Sequence, residues 1–92
     1  MIRTIKHKGL RRLHEEGSAK GIEAQYIPKI RRMLAALEAA SSLDHLDAPG
    51  YRLHSLKGDM KGLWSITVGA NWRIIFRFEA PDVYDVDLTD YH

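Results

Sequence analysis

Cysteine is absent from this 92-residue chain, which removes any disulfide framework and gives no indication of an oxidising compartment. No charged lead followed by an apolar core opens the sequence, so the cytoplasm is the expected location. Long apolar runs are missing as well. Lys, Arg, Asp or Glu interrupts every such stretch far short of the roughly 20 residues that a membrane helix needs, and no membrane partner is expected. Internal repeats, low-complexity tracts and linkers are also lacking, so residues 1–92 read as a single domain. A domain this small buries only about 60 to 65% of its extended surface and has little material for a deep pocket, which favours an open surface site.

Basic residues thin out along the chain. Residues 1–32 hold nine Lys or Arg against three Glu, a net of +6, whereas the remainder carries five against nine, a net of −4. Such asymmetry suits a polyanionic partner. It suits solvated helix faces with opposite charges nearby equally well, so charge alone does not choose.

The apolar pattern changes from helical to strand-like near Tyr51. Residues 1–5 read as a short first strand, 8–16 as a helix with Leu10 and Leu13 inward and Gly17 at its C-cap, and 18–21 as a turn. Over 24–41, Ile27, Ile30, Leu34 and Leu37 recur at three and four, one face of an amphipathic helix whose first turn must contain Pro28. Residues 43–50 cross to the sheet. Strands are predicted over 51–56, 63–68, 72–78 and 83–89, joined as an antiparallel meander. In the third, Trp72, Ile74, Phe76 and Phe78 share one face, leaving Arg73, Ile75 and Arg77 on the other. One face then packs on the helices and the other is free to meet a substrate. The class is α+β, with N-terminal helices packed on an antiparallel β-sheet.

Three short segments hold groups that can move protons or grip phosphate: His54-Ser55-Leu56-Lys57, Asn71-Trp72-Arg73 and Asp90-Tyr91-His92. If the intervening strands pair, they converge, and the set suits cleavage of RNA. RNA supplies its own nucleophile, the ribose 2′-hydroxyl beside each scissile phosphate. The protein needs a base for that hydroxyl, cations for the charge growing on the phosphoryl oxygens, and an acid for the departing 5′-oxygen. His54 and His92 suit base and acid, because an ordinary imidazole titrates at about pH 6.5, and the assignment between them stays open. Asp90 suits orienting a His or sharing the base role. Lys57 offers a point charge and Arg73 a fork for phosphate, and Tyr91 a ring to stack on a base. Neither metal nor organic cofactor is required.

Each residue also has a plainer reading. A lone His54 is more often a half-exposed sheet residue bonded to a neighbour, and Asp90-Tyr91-His92 a frayed polar tail. Arg73 and Arg77 suit cross-strand ion pairs with Asp85 or Asp87. Lys57 suits a solvated loop, and Trp64, Trp72, Phe76 and Phe78 suit the core. His7 and His14, seven apart on one helical face, make a poor metal site without further ligands.

Taken in order, Lys6-His7-Lys8-Gly9-Leu10, His54-Ser55-Leu56-Lys57-Gly58, Trp64-Ser65-Ile66, Asn71-Trp72-Arg73 and Asp90-Tyr91-His92 resemble the HigB toxins of bacterial toxin-antitoxin pairs. These are relatives of RelE in the RelE/ParE superfamily, and the resemblance runs over essentially the whole chain. It implies a small RelE-like fold and an mRNA endonuclease acting in the A site of the 70S ribosome, in contact with 16S rRNA. It also implies neutralisation by a HigA-like helix-turn-helix antitoxin. His54, Asp90, Tyr91 and His92 carry over as catalytic positions, and Lys57 and Arg73 as RNA-holding ones. RelE itself relies on basic residues and a tyrosine, so roles are spread over several residues rather than vested in one base.

Proton transfer contributes roughly 10² to 10⁴ in rate, whereas positioning supplies roughly 7 to 11 kcal/mol. A small open surface must borrow the positioning from another body, so ribosome dependence is expected, with weak cleavage of free RNA. Two alternatives belong to other classes. A ParE-like protein would poison DNA gyrase without nuclease chemistry, and His54 with the Asp90-Tyr91-His92 end argues against it. An inactive relative would persist only as an antitoxin-binding subunit.

Overall fold

The computed structural model describes residues 1–90. Helix α1 (Lys8–Glu16) is capped by the side chain of His7, whose Nδ1 accepts the Leu10 N–H at 3.1 Å and satisfies one of the helix's orphan donors. That ring folds back over the first turn and leaves no room at Gly9, where a Cβ would meet His7 Cε1 at 2.9 Å and Ile22 Cδ1 at 3.0 Å. Gly17 closes α1 in the left-handed region at φ 71, and its N–H donates to the Leu13 carbonyl at 3.1 Å. The helical face that His7 was to share with His14 does not form, because His7 is the cap and stands outside the helix.

Helix α2 (Ile27–Ala39) follows a 3-10 turn, Ala24–Tyr26, and is shorter at both ends than the expected 24–41. Pro28 lies in the first turn, where its missing N–H breaks no bond, and Ala40 turns extended. Its inward residues Ile30, Met33, Leu34 and Leu37 are buried.

Strands β1 (His54–Ser55), β2 (Trp64–Gly69), β3 (Trp72–Glu79) and β4 (Asp82–Asp90) pair antiparallel in chain order, the meander that the sequence predicts. One face of the sheet, carrying Ile66, Val68, Ile74, Phe76, Val83 and Val86, closes the core against Leu10, Ile30, Met33 and Leu37. Trp64, Trp72 and Phe78 pack at the margin of this core and Phe76 at its centre, so the aromatics take their plainer role.

Two expected strands change character. Over 51–56 the chain stays beside β2, with the Tyr51 carbonyl accepting the Thr67 N–H at 2.6 Å and the Leu56 N–H donating to the Leu63 carbonyl at 2.9 Å. Between them Arg52 adopts φ 51, which breaks the extended line and leaves only His54 and Ser55 in a regular ladder.

Residues 1–5 form an outer ribbon parallel to β4, touching it at Ile2↔Val83 and Ile5↔Val86. The cause is a bulge. Ile75 faces Asp87 while Arg77 faces Tyr84, so Asp85 and Val86 together oppose Phe76, with Asp85 at φ 56. The Thr4 hydroxyl accepts the Asp85 N–H at 2.7 Å, and Glu38 on α2 accepts the Ile2 N–H, fastening the ribbon on both sides.

Candidate functional site

Cross-strand register builds the site on the sheet face turned away from the helices. His54 faces Ser65, Ser65 faces Ile75, and Ile75 faces Asp87; in the neighbouring row Thr67 faces Arg73 and Arg73 faces Thr89. Residues directly opposite share a face, and these alternate with the core residues Ile66, Val68 and Ile74. The two rows enclose an open cavity of ≈ 280 Å³ lined by Arg52, His54, Leu56, Ser65, Thr67 and Arg73. Ser65 is buried at its floor, and His54 is exposed at its rim.

The lining sets the chemistry. Among the described residues it contains two guanidiniums, one imidazole and two hydroxyls, and no carboxylate. Guanidinium stays protonated at any physiological pH, so the cavity is a donor-rich, permanently cationic surface suited to an anion with several oxygens. Arg73 Nη1 donates to the carbonyls of Ala70 and Trp72, each at 3.3 Å, which holds its side chain over the β2–β3 hairpin.

Of the residues singled out in the sequence, His54 and Arg73 meet in this cavity. Lys57 is exposed just before a short 3-10 turn, Gly58–Met60, three residues beyond His54 and outside the lining. Asp90 faces Trp72 in the last pair of the sheet, one residue on from the Arg73–Thr89 pair and therefore out of phase with the Arg73 row. Tyr91 and His92 lie outside the described residues.

Of the expected cross-strand ion pairs, that of Arg77 with Asp85 forms. Arg77 pairs with Asp85 at 3.4 Å and with Glu79, and lies 4.5 Å from the centroid of the Tyr84 ring, so its charge is matched locally. Arg73 faces Thr89 in the register.

Arg52, Ser65 and Thr67 were missed by residue-type reasoning. The signal for Ser65 and Thr67 was alternation, since they bracket the core residue Ile66; Arg52 lies at a break in the extended backbone, where alternation gives no guide. The surplus of positive charge in residues 1–32 is also placed differently from a simple reading of the asymmetry. It falls largely on α1, α2 and the segment joining them, on the other layer, while the cations of the cavity come from the net-negative part of the chain.

Comparison with known proteins agrees with this architecture. A family profile described as the RelE-like toxin HigB of type II toxin-antitoxin systems matches residues 3–92. The endoribonuclease HigB of Proteus vulgaris is 47% identical over 92 residues, covering 100% of both chains. A crystal structure of a YafQ mutant from E. coli superimposes with a TM-score of 0.61 at 19% identity, over 96% of this chain and 92% of that one. The YoeB/ParE toxin from Agrobacterium tumefaciens gives a TM-score of 0.51 at 21% identity, over 77% and 78% respectively. The two structures share the fold, two helices on a four-stranded antiparallel sheet, and the sequence matches carry the lineage. The chain belongs to the HigB-like family, the RelE-like toxins of type II toxin-antitoxin systems.

Proposed function

We propose that this toxin is an endoribonuclease that cuts mRNA in the ribosomal A site by attack of a ribose 2′-hydroxyl on the adjacent phosphate, arresting translation. The observation that carries the reading is the open cavity in which His54 and Arg73 meet, lined by no carboxylate among the described residues. The name of the P. vulgaris relative supports it. In the reaction the 2′-oxygen forms a bond to phosphorus as the bond to the 5′-oxygen breaks, leaving a 2′,3′-cyclic phosphate and a free 5′-hydroxyl. One proton leaves the 2′-hydroxyl to a base and one reaches the 5′-oxygen from an acid. His54 takes one of these roles and His92 the other, with Asp90 orienting an imidazole or sharing the base role. Arg73 and Lys57 hold the phosphoryl oxygens, and Tyr91 stacks on a base.

The openness of the cavity explains the need for a ribosome. The cavity is open to solvent, and contacts to phosphate oxygens do not by themselves align the 2′-oxygen with the leaving 5′-oxygen, so in-line placement, with its roughly 7 to 11 kcal/mol, is supplied by the decoding site that holds the codon. A HigA-like antitoxin neutralises the toxin in the cytoplasm, as toxins of this family are paired.

The test is primer extension on mRNA from a translation mixture with added toxin, together with end-group analysis of the fragments. Cuts within codons ending in 2′,3′-cyclic phosphate are expected, with slow cleavage of the same RNA when ribosomes are omitted. Intact mRNA together with loss of gyrase supercoiling would replace this reading by that of a ParE-like gyrase poison.

A further inference from the structure

Arg52 sits in a conformation that a large side chain rarely adopts. Its φ of 51 is left-handed, and it directly follows the turn in which the Tyr51 N–H donates to the Ala48 carbonyl at 3.0 Å. Glycine or asparagine would be the cheap occupant of such a position. Its place is also fixed from the side. The Tyr51 carbonyl takes the Thr67 N–H, and Thr67 faces Arg73, so the chain at Arg52 and the guanidinium of Arg73 flank the same threonine.

Both arginines line the cavity, with His54 two residues from Arg52 on the same side. Arg52 is exposed, and among the described residues it has no ion-pair or hydrogen-bond partner, in contrast to Arg3 and Arg77, which hold carboxylates. A strained backbone that delivers a cation into this cavity, with no carboxylate beside it among the described residues, calls for an anionic ligand.

We infer that Arg52 is the second phosphate-binding residue of the cavity, gripping the RNA backbone opposite Arg73 and thereby positioning the scissile linkage beside His54. The inference rests on the proposed RNA substrate and adds a residue to it. Arg73 is held by the carbonyls of its own hairpin and acts as the fixed jaw, whereas Arg52 reaches in from the segment that leaves the ladder. Two forks on either side of one strand fix the direction of the phosphate oxygens, which a single arginine leaves free to rotate.

The test separates this inference from the nuclease reading by using an RNA that cannot react. Binding of a fluorescent, 2′-O-methylated single-stranded RNA is followed by anisotropy over a range of salt. R52A is expected to bind about tenfold more weakly, in line with loss of one charged hydrogen-bonding group. The slope of log affinity against log salt should become shallower by about 0.7, the share of one phosphate contact on a single strand. R52K should keep the slope and recover only part of the affinity, because it keeps the charge and loses the fork. R52G should lose binding as R52A does yet melt no lower than the parent chain, since glycine accepts the left-handed backbone.

In the translation mixture the same variants should cut mRNA at least about tenfold more slowly at subsaturating ribosomes. Parent-like affinity and salt slope in R52A would overturn the inference, as would an R52G that regains both fold and binding, which marks a turn residue only. A parent chain that binds the unreactive RNA with this Arg52 dependence but leaves mRNA intact refutes the nuclease reading and keeps the inference. A parent chain that does not bind the oligonucleotide refutes the inference.

Discussion

At the scale of single residues, His7 and Gly9 depend on each other for space. The ring that caps α1 occupies the space where a side chain at position 9 would go, so Gly9→Ala should cost about 1 to 3 kcal/mol by overpacking. His7→Ala alone should cost about 0.5 to 2 kcal/mol through the lost cap. The double variant, measured by urea unfolding, should lose less than the two costs together, because removing the ring vacates two of the three nearest atoms around the new methyl and leaves Ile22 Cδ1. Strict additivity would show that the two sites do not share this space. The Lys6–Leu10 segment was visible in the sequence as a pattern; its cause was not, since it depends on Ile22 closing over Gly9 from the far side of a turn.

His54 belongs to the opposite category. It is exposed and no core contact depends on it, so His54→Gln should melt with the parent protein while cleavage of ribosome-bound mRNA falls by about 10² to 10⁴. A parallel loss of folding would return His54 to the role of an ordinary sheet residue.

At the scale of elements, sequence periodicity located both helices and all the paired strands because their apolar spacings are regular. It failed where a backbone leaves the regular regions. Arg52 and Asp85, both with positive φ, interrupt β1's approach and the β4 ladder, and neither is a glycine that would have advertised the break. The N-terminal ribbon was misread for the same reason. Ile2 and Ile5 are three apart, too far for adjacent inward positions of a plain strand, and the bulge makes Val83 and Val86 three apart as well, so the two isoleucines meet the two valines.

The ribbon hangs on few bonds, and the tie from Glu38 to the Ile2 N–H is the one that reaches α2. Glu38→Ala should destabilise the fold by about 1 to 3 kcal/mol, the range for losing a charged partner of a backbone donor. Native-state hydrogen exchange should show the Arg3 and Lys6 amides, which donate to Val83 and Val86 at 2.7 Å, opening before those of β3. Unchanged protection of these amides would mean that Ile2 and Ile5 alone anchor the ribbon.

At the scale of the whole molecule, charge and chemistry occupy different layers. The cavity faces outward from the sheet, while Arg11 and Arg32 are exposed on the helices packed against the other side. Charges on that layer are separated from the cavity by the sheet, and in salt, where screening acts over about 8 to 10 Å, they contribute little to a phosphate bound on the open face. On the proposed ribosome-dependent reading they raise the rate at which the toxin meets a ribosome, whose surface is polyanionic, because long-range steering sums over the molecule. Replacing Arg11 and Arg32 by serine should therefore weaken the apparent affinity for programmed ribosomes and flatten its salt dependence. The single-turnover cleavage rate at saturating ribosomes should stay within about twofold of the parent, since each exposed charge is worth less than about 1 kcal/mol locally. Substitutions at His54 or Arg73 should do the reverse, lowering the saturated rate most. A fall in the saturated rate of the helix variant equal to that of the cavity variants would place the helix layer against the scissile strand and move the reaction centre off the open face of the sheet.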